Sequence, residues 1–292
     1  MYLADKASGF TTTTFRDTKS TPELYDLVNK YAPEVIWSDG DWEAPDTYWD
    51  APSFLSWLAT NSSVAQTAVW NDRWGGGSNC VHGSFVTCSD RYQPGSLQSS
   101  KWENALTIDE ASWGYRRNAD YSSYLSTEYF VHQLIETVAF GGNMLLNVGP
   151  AADGTIDPIF FDRLLGIGDW LKVNGEAIYS TTPWGVIQTE VSSSSTVYYN
   201  RAAATGTLYA IALSWPGESL TLAYPSATAS TQVRLVGYGD LSFDTIQDPS
   251  TGTGLTIRIP SVGVNQLPCM HAWAFALTNI DNLGASPVKW AD

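Results

Sequence analysis

The chain has 292 residues, 43% hydrophobic and 15% charged, which leaves room for one large domain or two ordinary ones and excludes disorder. No apolar run of about 18 residues occurs, so no membrane span is expected. Fifteen Lys and Arg against thirty Asp and Glu give a net charge of -15, which disfavours a nucleic-acid partner.

Up to about residue 180, helical and strand patterns alternate. Thr21 reads as an N-cap with Pro22 at the first helical position, and Leu24, Leu27, Val28 and Tyr31 recur at helical spacing up to the stop at Pro33. Glu34 to Trp37 reads as a short buried strand ended by Ser38-Asp39-Gly40. Residues 52–60 predict a second helix, and Gln66 to Trp70 a second strand ending at Asn71-Asp72-Arg73. An irregular Gly-rich stretch follows. Residues 127–140 then place Phe130, Val131, Leu134, Ile135 and Val138 on one helical face, and Asn143 to Val148 reads as a buried strand. Asp157-Pro158 opens a helix carrying Phe160, Leu164, Ile167 and Leu171, which ends at Asn174-Gly175. Strand, loop and helix in repetition predict a parallel sheet, open or closed into a barrel.

Beyond about residue 185 the helical period vanishes. Short alternating segments follow at Thr196–Asn200, Thr207–Leu213, Ser219–Ala223, Gln232–Val236, Leu255–Ile259 and His271–Leu277, the pattern of a β-sandwich. The junction lies near Thr181-Thr182-Pro183-Trp184.

Cys80, Cys88 and Cys269 form no CxxC or Cys/His pattern, so no metal is expected. A closed loop between Cys80 and Cys88, eight residues apart, is sterically allowed. Asn61-Ser62-Ser63 is a glycosylation sequon, as in secreted proteins, yet Met1-Tyr2-Leu3-Ala4-Asp5-Lys6 carries no signal-peptide pattern.

The sequence contains no GxSxG elbow, phosphate loop, HExxH or complete calcium loop. What remains is a set of acids expected at strand C-terminal ends or in the loops after them, where α/β architectures bind ligands. Asp39 lies between Trp37 and Trp42, Asp72 and Arg73 precede Trp74, Asp90 follows Cys88, and Glu103 follows Trp102. Thirteen Trp and fifteen Tyr supply flat faces for sugar stacking as well as for ordinary packing. Paired carboxylates among aromatics suit glycoside hydrolysis, in which one attacks the anomeric carbon and the other protonates the leaving oxygen. The same acids serve equally as caps and turn formers.

Val35-Ile36-Trp37-Ser38-Asp39-Gly40-Asp41-Trp42-Glu43 and Asn71-Asp72-Arg73-Trp74-Gly75 resemble the α-L-fucosidases of glycoside hydrolase family 29, closest to the lysosomal animal-type branch. The resemblance continues through Lys101-Trp102-Glu103, Ser112-Trp113-Gly114-Tyr115-Arg116-Arg117, Gly141-Gly142-Asn143, Leu145-Leu146-Asn147-Val148-Gly149-Pro150 and Asn174-Gly175-Glu176-Ala177-Ile178-Tyr179. It implies a retaining exo-hydrolase of fucosylated glycans or glycoproteins, secreted or lysosomal, with no cofactor. Asp39 is the implied nucleophile, Trp37 would pack on the fucose methyl side, and Arg73 would hydrogen-bond the sugar. Asp90 is favoured as acid/base, with Glu103 as runner-up. Trp113 and Tyr115 are candidates for the pocket mouth, and His82 for a substrate contact; His132 and His271 are read as structural.

The family's His-Trp-Gly motif, His-His pair and Tyr/Glu-Trp motif, which bind the fucose hydroxyls, do not occur in these residues. The resemblance begins midway through the barrel. The expectation is therefore an incomplete (β/α)8-like barrel over residues 1–185 and an antiparallel β-sandwich over 186–292. Alternatives are a non-catalytic carbohydrate-binding or structural remnant, a homo-oligomer, or a second chain that completes the barrel.

Overall fold

Residues 1–248 and 252–284 are described by a computed structural model. Residues 249–251 and 285–292 of the expected sandwich segment lie outside the described residues. Packing divides the chain into two compact units, Met1–Tyr92 with Ser100–Glu103, and Gln93–Ser99 with Asn104–Asp292.

In the first unit, α1 (Tyr2–Ala7) is followed by a π-turn, Arg16–Ser20, that runs without a break into α2 (Thr21–Tyr31). Thr21 is therefore not an N-cap. Its backbone is helical and its N–H donates to the Arg16 carbonyl, because the helical path begins upstream of it. The helix ends where Ala32 turns left-handed, one residue before Pro33, which cannot continue it. β1 (Val35–Ile36) then pairs in parallel with β2 (Val69–Trp70), and α3 (Asp46–Trp49) and α4 (Ala51–Thr60) make the crossover. Val28, Ile36, Phe54, Leu58 and Trp74 share one core, which seats α2 and α4 against the strand ends. Asn61 is exposed at the end of α4.

The strand β3 (Trp102–Thr107) opens in the first unit and continues into the second, where it pairs with β4 (Gly142–Asn147). Between them, α5 (Thr127–Ala139) is capped by Ser126, whose hydroxyl accepts the Tyr129 N–H at 3.1 Å, and it buries Phe130, Val131, Leu134 and Ile135. α6 (Pro158–Asn174) starts on Pro158, as the sequence predicts. Two short strands, β5 (Thr182–Pro183) and β6 (Thr189–Val191), lead into the antiparallel region. It comprises β7 (Thr196–Ala202), β8 (Thr207–Ala212), β9 (Ser219–Leu222), β10 (Ala227–Leu235), β11 (Gly239–Leu241), β12 (Phe243–Asp248), β13 (Gly252–Arg258) and β14 (Trp273–Ile280).

One sheet runs β11-β10-β14-β8-β7-β5 with β6 also on β7, and a second runs β12-β13-β9. Trp184, Tyr199, Leu208, Leu220, Leu255, Ile257 and Phe275 fill the layer between the sheets. Helices α5 and α6 belong to the same compact unit. His132 Nε2 lies 2.8 Å from the His271 carbonyl, and Trp170 Nε1 donates to the Ala272 carbonyl at 2.9 Å, so α5 and α6 are each tied to the segment that leads into β14. This division by packing falls elsewhere than the 185/186 boundary drawn on sequence period.

Candidate active site

The site begins where the parallel strands β1 and β2 end. Asn71 ties the two ends together: its Nδ2 donates to the Ser38 carbonyl at 2.7 Å, and its Oδ1 accepts the Ser38 N–H at 3.0 Å. The Ser38 hydroxyl donates to the Arg73 carbonyl at 2.6 Å. Buried polar groups need such partners, and these bonds leave Asp39 and Arg73 side by side at the C-terminal strand ends.

Arg73 organises the charges. It is 5% exposed, and its Nη1 donates to Asp90 Oδ1 at 2.8 Å and to Asp39 Oδ1 at 3.2 Å. Burial works against its positive charge, but Asp90 and Asp39 outweigh burial and raise its pKa. Because one oxygen of each carboxylate contacts the same nitrogen, these two oxygens lie no more than about 6 Å apart, below the roughly 6.5–9.5 Å of an inverting pair. Both carboxylates are roughly half exposed, so a ligand can reach them. The guanidinium carbon stands 5.0 Å from the Trp37 ring centroid, a cation–π contact.

Behind Arg73 lies a buried carboxylate. Asp72 is 0% exposed and accepts four hydrogen bonds. Its Oδ1 takes the Thr87 N–H at 2.9 Å and the Thr87 hydroxyl at 2.7 Å; its Oδ2 takes the Cys80 N–H at 2.7 Å and the Cys88 N–H at 3.1 Å. The Thr87 oxygen in turn accepts Arg73 Nε–H at 2.8 Å. A disulfide joins Cys80 to Cys88, with both residues in left-handed backbone and Cα atoms 4.4 Å apart. The closed loop sequence allowed is thus present, and it delivers Asp90 two residues after its closing cysteine. Thr87 has no local sequence signal, and Asp72 reads in the sequence only as another acid after a strand.

Glu103 is placed differently from the expectation of a strand end or loop. It is the second residue of β3, because Trp102 and Ala105 to Thr107 carry a buried strand past it. Its Oε1 accepts Trp37 Nε1–H at 2.8 Å. Burial raises the Glu103 pKa, against the opposing effects of the Trp37 hydrogen bond and the Arg73 charge. Asp39, Asp90, Glu103, Trp37 and Arg73 therefore form one connected cluster in the first unit.

None of the contacts that build this cluster involves the other candidates. His82 is exposed and lines a different cavity with Trp70, Leu55 and Pro52. Trp113 and Tyr115 belong to the second unit, where the Trp113 carbonyl accepts Asn147 Nδ2–H at 2.8 Å and Tyr115 is 38% exposed. Asp39 and Arg73 open onto a cavity of about 450 Å³ whose wall includes Leu24, Trp49, Phe54 and Trp74. Among the described residues, no group of three or more His, Cys, Asp or Glu is placed to hold a metal ion.

The α-L-fucosidase family model matches residues 1–176. The chain belongs to the α-L-fucosidase family. The model of the α-L-fucosidase C-terminal domain matches residues 188–278. The chain is 48% identical to human plasma α-L-fucosidase over 283 residues, covering 96% of this chain and 59% of that protein. It is 45% identical to human tissue α-L-fucosidase over 282 residues, again covering 96% and 59%. It thus spans about three-fifths of the length of these curated relatives. A crystal structure of Thermotoga maritima α-fucosidase with a mechanism-based inhibitor superposes with a TM-score of 0.73 at 29% identity, over 92% of this chain and 58% of that one. The fold is accordingly an incomplete (β/α) barrel followed by an antiparallel β domain.

Proposed function

We propose that this chain acts as a retaining exo-glycosidase that releases terminal α-L-fucose from fucosylated glycans or glycoproteins, in a secreted or lysosomal setting. The observation that carries this reading is the pair Asp39 and Asp90 on one Arg73 nitrogen, at a spacing suited to double displacement. Asp39 attacks the anomeric carbon as the bond to the leaving oxygen breaks, forming a glycosyl ester. Asp90 protonates that oxygen. It then takes a proton from water, which attacks the same carbon and returns Asp39 as carboxylate.

Trp37 sits two residues before the nucleophile, held between Arg73 and Glu103, and offers its face to the sugar's methyl side. Arg73 holds Asp39 in place for attack and hydrogen-bonds the bound sugar. Residues 1–185 are assigned to the C-terminal portion of the barrel, 186–292 to the sandwich, and Asn61 to glycosylation. One observation favours a second reading of the acid/base. Burial raises the proton affinity of Glu103, as a general acid requires.

The tests are release of nitrophenol from 4-nitrophenyl α-L-fucoside and labelling with a 2-fluoro-fucosyl fluoride. The expected label is on Asp39, with turnover lost in Asp39→Ala. A folded sample that neither turns over nor takes the label would overturn the enzymatic reading in favour of a non-catalytic carbohydrate-binding or structural protein. Asp90→Asn is expected to lose activity toward poor leaving groups, keep it toward dinitrophenyl fucoside, and regain it with azide. The same pattern in Glu103→Gln instead would transfer the role to Glu103.

A further inference from the structure

The smaller sheet of the second unit carries a polar face unrelated to the barrel chemistry. In β13, Leu255 and Ile257 point into the core, so Thr256 and Arg258 point outward. Residues directly opposite in antiparallel strands share a face. Asp244 of β12 is opposite Thr256, and Ser219 of β9 is opposite Arg258. Asp244, Thr256, Arg258 and Ser219 therefore lie on one outward surface. Arg258 pairs there with Asp244 at 2.5 Å while both side chains stay more than half exposed.

A cavity of about 670 Å³ opens over this surface. Trp215 and Glu218 line one side, and residues 259–262 the other. The two sides are joined where the Ile259 N–H donates to the Glu218 carbonyl at 2.8 Å, so the depression is part of the fold. Trp215 is anchored rather than free: it packs on the sandwich core and meets Trp273 edge-on at 5.4 Å between centroids. Part of its ring remains uncovered on the cavity side.

An immobilised indole beside a planar guanidinium–carboxylate pair and a second carboxylate is the chemistry that recognises a pyranose. The ring takes the sugar's apolar C–H face, while Arg258, Asp244 and Glu218 take its hydroxyls as donor and acceptors. The charge selects among sugars. Two carboxylates against one guanidinium, on a chain of net charge -15, repel sialylated, sulfated or phosphorylated glycans. We propose that this cavity is a second carbohydrate site, binding a neutral pyranose of a glycan chain, separate from the residues around Arg73 and independent of whether they hydrolyse fucosides.

The test uses the full chain, with indole nitrogens labelled and followed by NMR during titration with lactose, N-acetyllactosamine or N,N′-diacetylchitobiose; Trp215→Phe assigns the Trp215 signal. At least one sugar is expected to give a saturable shift at Trp215 in the millimolar range, weakened about tenfold or more in Arg258→Ala. Arg258 is an exposed side chain, so its variant folds even where loss of Trp215 disturbs the core. Asp39→Ala should bind as the parent does, and Trp215→Ala should leave nitrophenyl fucoside turnover unchanged. No saturable shift with any of the three sugars would overturn the proposal. So would equal binding by Arg258→Ala, or binding that disappears in Asp39→Ala.

Discussion

Replacing Asp72 by Asn removes one acceptor from a site that needs both. The carboxylate accepts two donors on each oxygen, and all four come from residues 80–88. Asn keeps one oxygen and places an NH2 group where the other was. If the amide oxygen serves Thr87, the Cys80 and Cys88 N–H groups face a donor in a buried position; the reverse orientation strands the Thr87 N–H and hydroxyl. Each orphaned buried donor costs about 1–3 kcal/mol, so Asp72→Asn should lose about 2–6 kcal/mol of stability. Urea denaturation read by tryptophan fluorescence measures it. Turnover of nitrophenyl fucoside should fall as well, because Thr87 is also the acceptor for Arg73 Nε. A variant within about 1 kcal/mol of the parent would refute the account of Asp72 as the anchor of this loop.

Opening the disulfide with Cys80→Ala and Cys88→Ala frees a loop with a sequence separation of 8, worth about 2.5 kcal/mol by chain entropy; a reductant should destabilise the parent comparably and leave the double variant unchanged. Burial raises the Glu103 pKa, so its ionisation opposes folding: the favourable contribution is complete below the unfolded value and is lost as pH rises through the folded one. Glu103→Gln should therefore be more stable than the parent at pH 7, with the gap closing toward pH 4, and parallel urea midpoints across that range would contradict this. A Cβ on Gly149 would stand 2.7 Å from the Gly114 carbonyl carbon and 2.8 Å from the Tyr115 nitrogen, so Gly149→Ala should cost about 1–3 kcal/mol in thermal or urea unfolding.

What could be read from the sequence was what periodicity or punctuation announces. α5 and α6 follow their apolar faces and caps to within a residue or two, and β7, β8 and β14 fall on their apolar segments within about three residues, though β8 is buried on both faces rather than alternating. β3 escaped because Glu103 and Asn104 interrupt its apolar run. Asn104 is nonetheless 0% exposed, its Nδ2 donating to the Thr137 hydroxyl at 3.2 Å, a partner 33 residues away that no local pattern reveals. β12 escaped because Phe243-Asp244-Thr245-Ile246-Gln247-Asp248 has few apolar residues to alternate. Within the site, the flanking tryptophans and the strand-end position marked Asp39. The function of Thr87 exists only once the loop of residues 80–88 has folded over Asp72, since its partners come from a different strand end.

The bonds from α5 and α6 to the strand edge near Ala272 bear on how this protein can be dissected. A fragment beginning at residue 186 would lose Trp184 from the layer between the sheets and β5 from the sheet edge, and the His271 and Ala272 carbonyls would lose His132 and Trp170 as partners. Tyr198, which meets Phe140 edge-on, would lose its cover. Proteases acting on the native chain should accordingly leave α5 and α6 attached to the C-terminal fragment. A cut placed upstream of α5 is the better starting point for producing the sandwich as a soluble piece.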